Sequence, residues 1–266
     1  MSPCEVTGRA DWEVPAFRTY ELGPRTSDNC ICIPVINEGT RLTSQLARIA
    51  ALNLATDVIV CDGGSTDGSD DPTLLSRHGV RTLLIKTGPG RLSAQLRVLF
   101  AYALEQGYTG MVMIDGNGKD GVEAIPQFLD ALSAGFDFVQ GSRYLPGGSE
   151  ENTPLDRKLA SKLIHAPLLS MAAGFRYTDT TNGFRAFRDR FILDPRLQPF
   201  RNVFDTYNLH FYLSVMAPRL GYRVTELPVR RVYPASGPTP SKIGGIAGKL
   251  AILKLLLYTV MGRYKP

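Results

Sequence analysis

Short apolar runs alternate with amphipathic segments along the first half of the chain. Between the runs, apolar residues recur at helical spacing, as Leu42, Leu46 and Ile49 do. Because buried strands read as continuous apolar runs and covering helices as one-sided stripes, this rhythm predicts an α/β fold, with a mostly parallel sheet and helices on both faces. The predicted strands are residues 30–36, 57–61, 80–85, 110–114 and 136–140.

The rhythm changes after residue 143, where polar loops separate fewer regular elements. The elements predicted there are a helix over 157–171, a turn-rich stretch over 179–187, a helix near 204–216, a strand at 223–227 and a final helix after a loop rich in Pro, Gly and Ser. We expect three parts of the chain. These are an N-terminal extension lying over the domain (residues 1–27), one domain (residues 28–241) and a C-terminal amphipathic helix (residues 242–266).

The composition is that of a folded globular protein with a modest excess of positive charge. The apolar fraction is 44%, the net charge is +5 and the pI is about 9.0. This charge suits an anionic partner such as a nucleotide, a phosphate or a membrane surface, and simple solubility explains it equally well. Neither a signal peptide nor a spanning helix is expected, because the N-terminus is charged and Lys249 and Lys254 interrupt the apolar stretch 243–261.

The cysteines and histidines form no recognisable metal or disulfide spacing. The four cysteines are expected to be free thiols in a reducing compartment. Cys30 and Cys32, which lie two positions apart in one strand, are expected to point to opposite faces. His78, His165 and His210 are scattered, so they predict no zinc site.

Polar side chains follow three of the predicted strands at the point where each strand ends. Asn37 and Glu38 follow the first strand, Asp62 the second and Asp115 the fourth. Each of them alone is explained by a turn or a helix cap. Because the carboxyl ends of parallel strands meet at one edge of a sheet, together they favour a ligand-binding crevice there. Neither a G-x-G-x-x-G dinucleotide fingerprint nor a G-x-x-x-x-G-K-[ST] phosphate loop is present.

Residues 112–120 carry the most specific chemistry of this edge. A short buried strand ends on Asp115, a position from which a carboxylate can hold a divalent cation against a diphosphate. Asn117 stands where the second carboxylate of an Asp-x-Asp clamp is expected, and its carbonyl can bind a hard cation with one negative charge less. Asp120 is open to two interpretations. It is either a further carboxylate for the metal or an N-terminal acid of the helix that begins near Val122.

Five segments of the chain form an ordered series of motifs. They are residues 33–38 (IPVINE), 58–68 (VIVCDGGSTDG), 141–148 (GSRYLPGG), 179–187 (DTTNGFRAF) and 241–244 (SKIG). The series resembles the family 2 glycosyltransferases of GT-A fold, and most of all their polyprenyl-phosphate mannosyl- and glucosyltransferase branch. The likeness runs from about residue 30 to residue 245, and several motifs in the right order are far more specific than any one of them.

The resemblance implies a GT-A fold with a nucleotide pocket at the strand ends. It assigns nucleotide binding to Pro34, Asn37, Glu38, Asp62, Gly64 and Asp115. It also implies Mg²⁺ or Mn²⁺ as a cofactor that stabilises the leaving nucleoside diphosphate. The metal ligands that we predict are Asp115, Asn117 and Asp120.

A second group of residues is implied to bind the acceptor. Arg143 lies in the G-S-R-Y motif, and Arg157 and Ser161 are spaced i, i+4 on a predicted helix, so they share one face. In the polyprenyl-phosphate branch the corresponding residues bind the acceptor phosphate, a task that suits a planar guanidinium group. The other interpretation of this basic helix face is surface solubility. Lys242, beyond the Pro-rich loop, is expected to close on the diphosphate.

The resemblance gives catalytic roles to Asp115, Arg143 and Asp205. A phosphate monoester is already ionised at neutral pH and can attack unaided, whereas a hydroxyl acceptor needs a general base. For a hydroxyl acceptor Asp205 is the candidate base. Its other interpretation is an acid at the N-terminus of a helix.

We therefore predict an inverting hexosyltransferase that moves mannose or glucose from a GDP- or UDP-linked sugar to a polyprenyl-phosphate-type acceptor. The alternatives are a soluble transferase acting on a hydroxyl acceptor in specialised metabolism and a nucleotide-binding homologue with weakened catalysis. The C-terminal helix is expected either to contact a membrane peripherally or to pack on its own domain or on a second copy in a homo-oligomer. Nucleic acid is not an expected partner. The expected location is the cytoplasm, at the inner face of the membrane.

Overall fold

The alternating strands form a central sheet that is mostly parallel. The computed structural model describes residues 11–235 and 245–266, without the side chain of Ile246. The strands are β1 (Phe17–Glu21), β2 (Asn29–Val35), β3 (Asp57–Asp62), β4 (Val80–Lys86), β5 (Gly110–Met113), β6 (Phe138–Ser142), β7 (Ser149–Glu151), β8 (Arg185–Arg188), β9 (Val224–Pro228) and β10 (Arg230–Val232). The sheet order is β1-β4-β3-β2-β5-β8-β6-β9, and β10 pairs separately with β7.

Helices cover both faces of this sheet. They are α1 (Thr40–Ala51), α2 (Pro72–Arg77), α3 (Leu92–Glu105), α4 (Ile125–Ser133), α5 (Leu155–Ala160), α6 (Ala166–Ala173), α7 (Asp189–Ile192), α8 (Asn208–Arg219) and α9 (Gly245–Val260). α1 and α4 pack into one apolar core, and α3 and α8 pack into the core on the other side. The predicted α/β fold is confirmed, because β4, β3, β2 and β5 are parallel neighbours covered from both sides.

Two strands of the central sheet are not predicted by the apolar periodicity of the sequence. β1 pairs antiparallel with β4 at the sheet edge, so part of the N-terminal extension adds a strand to the sheet. β8 runs antiparallel between β5 and β6, in a stretch that the sequence predicts as turns. These strands are five and four residues long, and their pairing depends on neighbours that are distant in the chain.

The prediction that Cys30 and Cys32 point to opposite faces is wrong. Side chains alternate along a strand with a period of two, so residues i and i+2 share a face. The two Sγ atoms lie 3.7 Å apart in the core on the α3 side, and both thiols are free.

The predicted helix over 157–171 is confirmed and contains a wider turn. A continuous helical stretch runs from α5 through a π-helical segment, Ser161–His165, into α6. Single π turns are frequent at functional sites. α8 begins four residues later than predicted, since the carbonyls of Asp205 and Thr206 instead accept N–H groups at the start of α3.

α9 has one packed and one exposed face. Leu256 is fully buried against α6 and α8. Leu250, Leu257 and Met261 on the other face are 60%, 42% and 65% exposed. In residues 11–235 and 245–266 no helix combines the length and the hydropathy needed to cross a bilayer. Packing on the domain and contact with another surface therefore involve different faces of the same helix.

Candidate active site

The strand-end residues predicted from the sequence lie at one edge of the sheet. β2, β3 and β5 are parallel neighbours, so their carboxyl ends all point to this edge. α1, which follows β2, and α3, which precedes β5, cover opposite faces of the sheet. The gap between β2 and β5 is therefore a topological switch point, where open α/β sheets bind their ligands.

Asp62 and Asn37 join two of the strand-end loops. Asp62 is fully buried, and its carboxylate accepts the N–H groups of Gly64 and Ser65 at 2.7 and 2.9 Å. Asn37 Oδ1 accepts the N–H of Thr66 at 2.8 Å. Gly64 has a φ of 99°, which glycine adopts without strain. The structure thus brings Asn37, Asp62 and Gly64 together, with both polar side chains shaping the loops.

Pro34 and Glu38 lie next to these loops. Pro34 is buried in β2, and its carbonyl accepts the N–H of Gly116 at 3.4 Å, which links β2 to the loop after Asp115. Glu38 forms an ion pair with Arg41 at 2.8 Å. The predicted nucleotide-binding residues therefore all lie around the ends of β2, β3 and β5.

Asp115 is an ionised carboxylate between cationic groups. Its side chain is 25% exposed, and Oδ2 accepts hydrogen bonds from Arg231 Nη2 at 3.1 Å and from Asn117 Nδ2 at 3.3 Å. The backbone of Gly183 packs directly against this carboxylate. Burial acts to raise the pKa of Asp115, but the charges of Arg231 and Lys119 hold it below its ordinary value.

Asp120 is completely buried, and Arg231 binds its carboxylate. Both oxygens accept hydrogen bonds from Arg231 Nη1, at 2.5 and 2.7 Å. The helix-cap interpretation of Asp120 does not hold, because Gly121 is the N-cap of the short 3-10 turn Val122–Ala124 and no side chain caps that turn. Arg231 thus bridges Asp115 and Asp120 through its two terminal nitrogens.

The three predicted metal ligands lie close together but offer few uncommitted oxygens. Within the two described ranges, no group of three or more His, Cys, Asp or Glu side chains could hold a metal ion. Asp115 shares its carboxylate with Arg231, Asn117 offers an amide, and both oxygens of Asp120 are bound. Since Mg²⁺ takes about six oxygen ligands, most of its shell would have to come from substrate and water. This donor set does not fit a metal site built by the protein alone.

Arg143 forms a buried ion pair with Asp179. Nε and Nη2 of Arg143 donate to the two carboxylate oxygens at 2.7 and 3.1 Å, and Nη2 also donates to Thr181 Oγ1 at 2.7 Å. Ser161 Oγ lies 3.0 Å from the same Thr181 hydroxyl. Burial acts to lower the pKa of Arg143, but the charge of Asp179 raises it well above its ordinary value. The structure therefore brings Arg143 and Ser161 into one network around Asp179.

Tyr207 is affected by charges from both parts of the predicted site. It precedes α8 and is half-buried, and burial raises its pKa. The negative charge of Asp115 raises the pKa further, whereas the charges of Arg157 and Arg91 lower it. Asp115 and Arg157 therefore both act electrostatically on this one side chain, from the donor and the acceptor sides of the predicted site.

Asp205 accepts hydrogen bonds from the backbone at the start of α3. Its carboxylate accepts the backbone N–H of Arg91 at 3.2 Å, and its backbone carbonyl accepts the N–H groups of Arg91 and Ser93. It is an acid at a helix N-terminus, although of α3 and not of α8. Its role as a general base stays a prediction. Lys242 lies outside the described residues.

Sequence reasoning missed three residues of this site, namely Lys119, Asp179 and Arg231. Arg231 follows Asp120 by 111 positions, and Asp179 follows Arg143 by 36. No local pattern links such distant partners. The signal that was present lies in the motifs, because Asp179 opens the segment 179–187 that belongs to the same series as Arg143.

Gly183→Ala is expected to lower the free energy of unfolding by about 1–3 kcal/mol, the usual cost of overpacking. A Cβ at this position would lie 2.5 Å from Asp115 Oδ1, so the carboxylate would have to move away from Arg231. Urea unfolding measures the change. Gly23→Ala is the matched control, because a Cβ there meets nothing within 4 Å. Equal stability of the two variants would contradict the close packing against Asp115.

Known proteins resemble the chain along most of its length. The undecaprenyl-phosphate mannosyltransferase of Micrococcus luteus is 30% identical over 225 residues, which cover 83% of this chain and 89% of that protein. The polyprenol monophosphomannose synthase of Mycolicibacterium smegmatis is 28% identical over 242 residues, 90% of this chain and 89% of that protein. No family model matches the sequence.

Solved structures support the fold independently. Glucosyl-3-phosphoglycerate synthase of Mycobacterium tuberculosis, in complex with Mn²⁺, UDP and glucosyl-3-phosphoglycerate, superposes with a TM-score of 0.63 over 88% of this chain and 79% of that chain, at 16% identity. This likeness confirms the GT-A fold. The chain therefore belongs to the family 2 glycosyltransferases of GT-A fold, in the branch that contains the polyprenyl-phosphate and dolichol-phosphate mannosyltransferases.

Proposed function

We propose that the protein transfers a hexose from a nucleotide-diphosphate sugar to the phosphate of a polyprenyl phosphate, with inversion at the anomeric carbon. The observation that carries the proposal is the placement of Arg157 and Ser161 one helical turn apart, with Ser161 bound to the Thr181 hydroxyl that also accepts a hydrogen bond from buried Arg143. Arginine and hydroxyl groups are suited to binding a phosphate. The relative from Micrococcus luteus, named as an undecaprenyl-phosphate mannosyltransferase, supports this acceptor.

The phosphate acceptor removes the need for a general base. An oxygen of the ionised phosphate attacks the anomeric carbon while the bond to the donor's β-phosphate breaks and the nucleoside diphosphate leaves. A single displacement of this kind inverts the configuration. Asp205, the candidate base for a hydroxyl acceptor, instead accepts the backbone N–H of Arg91 at the start of α3. This contact favours the phosphate acceptor over the hydroxyl alternative.

The donor binds at the carboxyl ends of β2, β3 and β5 in this proposal. Pro34, Asn37, Glu38, Asp62 and Gly64 line the nucleoside end, and the diphosphate lies towards Asp115. The sugar is a GDP- or UDP-linked hexose. The Mg²⁺ or Mn²⁺ site predicted from the sequence is not part of the proposal, because the donor set described above does not fit it.

A stripe of exposed leucines lies on the helical stretch that carries Arg157 and Ser161. Leu155, Leu159 and Leu163 follow one another every four residues and are 69%, 48% and 69% exposed; Met171, eight residues further, is 71% exposed. Large exposed apolar surfaces commonly mark sites of membrane or protein contact. A lipid whose phosphate is held by this stretch would have its hydrocarbon chain next to the stripe.

The exposed face of α9 extends this apolar surface. The ion pair of Lys249 with Asp156, at 2.7 Å, ties α9 to α5. The exposed residues on α9 include Leu250, Leu257 and Lys254. A surface that combines leucines with lysines suits an anionic bilayer. We infer that the protein contacts the inner face of the membrane peripherally through α5, α6 and α9.

Labelled donor and extraction into organic solvent test the proposed reaction. With GDP-mannose or UDP-glucose as donor, we expect label in the organic phase only when a polyprenyl phosphate is present. Arg157→Gln is expected to lower this transfer by about tenfold or more, the effect of one charged hydrogen bond. Arg176→Gln, an exposed arginine outside the proposed site, is the matched control and is expected to retain activity. Label found only on a water-soluble acceptor would contradict the proposal.

A further inference from the structure

Two buried cations stand beside the carboxylates where the donor diphosphate is proposed to lie. Lys119 and Arg231 are 7% and 6% exposed. Both pack on the ring of Tyr233, with Lys119 Nζ 4.9 Å and Arg231 Cζ 5.8 Å from its centroid. Buried charges persist in a fold when opposite charges compensate them. Here Arg231 lies between Asp120 and Asp115, and Lys119 adds a second positive charge that acts on both carboxylates.

A divalent cation would find few unbound carboxylate oxygens in this cluster. Asp120 has both oxygens on Arg231 Nη1, and Arg231 Nη2 holds one oxygen of Asp115. Asn117 contributes a neutral amide, where a carboxylate would add a negative charge for the ion. A cation at Asp115 would also be repelled by Lys119 and Arg231. The structural neighbour that holds Mn²⁺ with UDP therefore does not provide a guide to this cluster.

The same groups are suited to an anion. Asp120 binds Arg231 through Nη1, so a phosphate oxygen can take the place of Asp115 on Nη2 while Asp120 keeps the guanidinium in position. Lys119 and Asn117 line a cavity of about 470 Å³, whose wall also includes Arg41. Lys119 therefore lines this cavity together with a second basic side chain, Arg41.

We propose that the Arg231 guanidinium and the Lys119 ammonium together replace the divalent cation as the counter-charge for the donor diphosphate, so that nucleotide binding needs no metal. This inference rests on the proposed use of a nucleotide-diphosphate donor. It assigns Asp120 as a positioning residue for Arg231. It differs from the sequence-based prediction, in which Asp115, Asn117 and Asp120 are ligands of Mg²⁺ or Mn²⁺.

Calorimetric titration of the full chain with GDP and with UDP, in EDTA and in excess Mn²⁺, is the first test. We expect the dissociation constant of the preferred nucleotide to differ by less than about threefold between the two conditions, a small difference in free energy. A loss of tenfold or more in EDTA would overturn the inference and leave the proposed function intact. Absence of nucleotide binding in both conditions would overturn the inference and count against the proposed function as well.

Variants of Lys119 and Asn117 provide the second test and avoid Arg231, whose loss would leave Asp120 buried without its partner. Lys119→Gln is expected to weaken nucleotide binding in EDTA by about tenfold. Asn117→Asp/Lys119→Gln adds a carboxylate and removes a cation, so we expect Mn²⁺ to strengthen its nucleotide binding by about tenfold or more. Lys265→Gln, an exposed lysine at the end of the chain, is the matched control and is expected to bind like the wild type.

Two results from these variants would overturn the inference. The first is wild-type affinity of Lys119→Gln in EDTA. The second is a double variant that folds, as judged by its circular dichroism and thermal midpoint, yet responds to Mn²⁺ no more than the wild type does. Titration of Mn²⁺ alone into both proteins gives a readout that is independent of the nucleotide. There we expect heat of binding only from the double variant.

Discussion

Asp179→Asn is expected to lower the free energy of unfolding by about 3–5 kcal/mol, the usual cost of removing one partner of a buried ion pair. The side chains of Asp179 and Arg143 are 0% and 4% exposed, so the substitution leaves a guanidinium without its counter-charge in the interior. The carboxylate also accepts the N–H and hydroxyl groups of Thr181. Urea unfolding at neutral pH, followed by circular dichroism, measures the change.

Two further variants separate the buried charge from other effects. Asp28→Asn breaks an exposed pair with Arg25, in which Asp28 is 81% exposed, and is expected to cost less than about 1 kcal/mol. Arg143→Met/Asp179→Asn removes the uncompensated cation and is expected to be more stable than Asp179→Asn alone. If Asp179→Asn costs no more than Asp28→Asn, the pair does not carry the buried charge that we assign to it.

The effect of Asp179→Asn should depend on pH in a defined direction. Burial acts to raise the pKa of Asp179, but the charge and hydrogen bonds of Arg143 lower it below its ordinary value. The folded pKa is therefore below the unfolded value of about 3.9, so this carboxylate stabilises the fold fully above that pH and loses its contribution as the pH falls through the folded pKa. We expect the stability difference between wild type and Asp179→Asn to shrink under acidic conditions.

The central strands could be predicted from the sequence because they are buried on both faces. β2, β3, β4 and β5 read as continuous apolar runs, and their observed bounds lie within one or two residues of the predicted ones. β1 and β8 could not be predicted in this way. They are short, and their partners β4 and β5 lie far away in the chain, so pairing and not local pattern makes them strands.

The candidate site also has a part that the sequence predicts and a part that depends on tertiary packing. The edge where Asp62 and Asp115 lie follows from the order of strands and helices, since parallel strands end together. The partners of the charged groups do not follow from it. The neighbours of Asp120 in sequence predict either a metal ligand or a helix cap. In the structure Asp120 binds Arg231, because β10 runs beside the loop that carries Asp120. Ion pairs across such separations depend on tertiary packing, which no local pattern encodes.

Leu159→Glu/Leu163→Glu is expected to weaken binding to anionic vesicles by about 100-fold, which corresponds to about 3 kcal/mol. Both leucines are exposed, so the fold loses little apolar contact, whereas the membrane loses two inserted side chains and gains two repelled charges. Co-sedimentation with vesicles rich in phosphatidylglycerol measures the binding. Transfer to a short, water-soluble polyprenyl phosphate is expected to continue, because Arg143, Arg157 and Ser161 are unchanged.

A matched pair of single variants distinguishes membrane contact from the general effect of an added negative charge. Leu163→Glu lies on the proposed membrane surface. Leu193→Glu places the same change at the end of α7. The first residue of α7, Asp189, donates its N–H to the carbonyl of Thr109 just before β5, so this helix lies at the opposite end of the sheet from the crevice. We expect Leu163→Glu to lose about tenfold in vesicle binding and Leu193→Glu to bind like the wild type. Equal losses in the two variants would mean that net charge, and not the leucine stripe, governs attraction to the membrane.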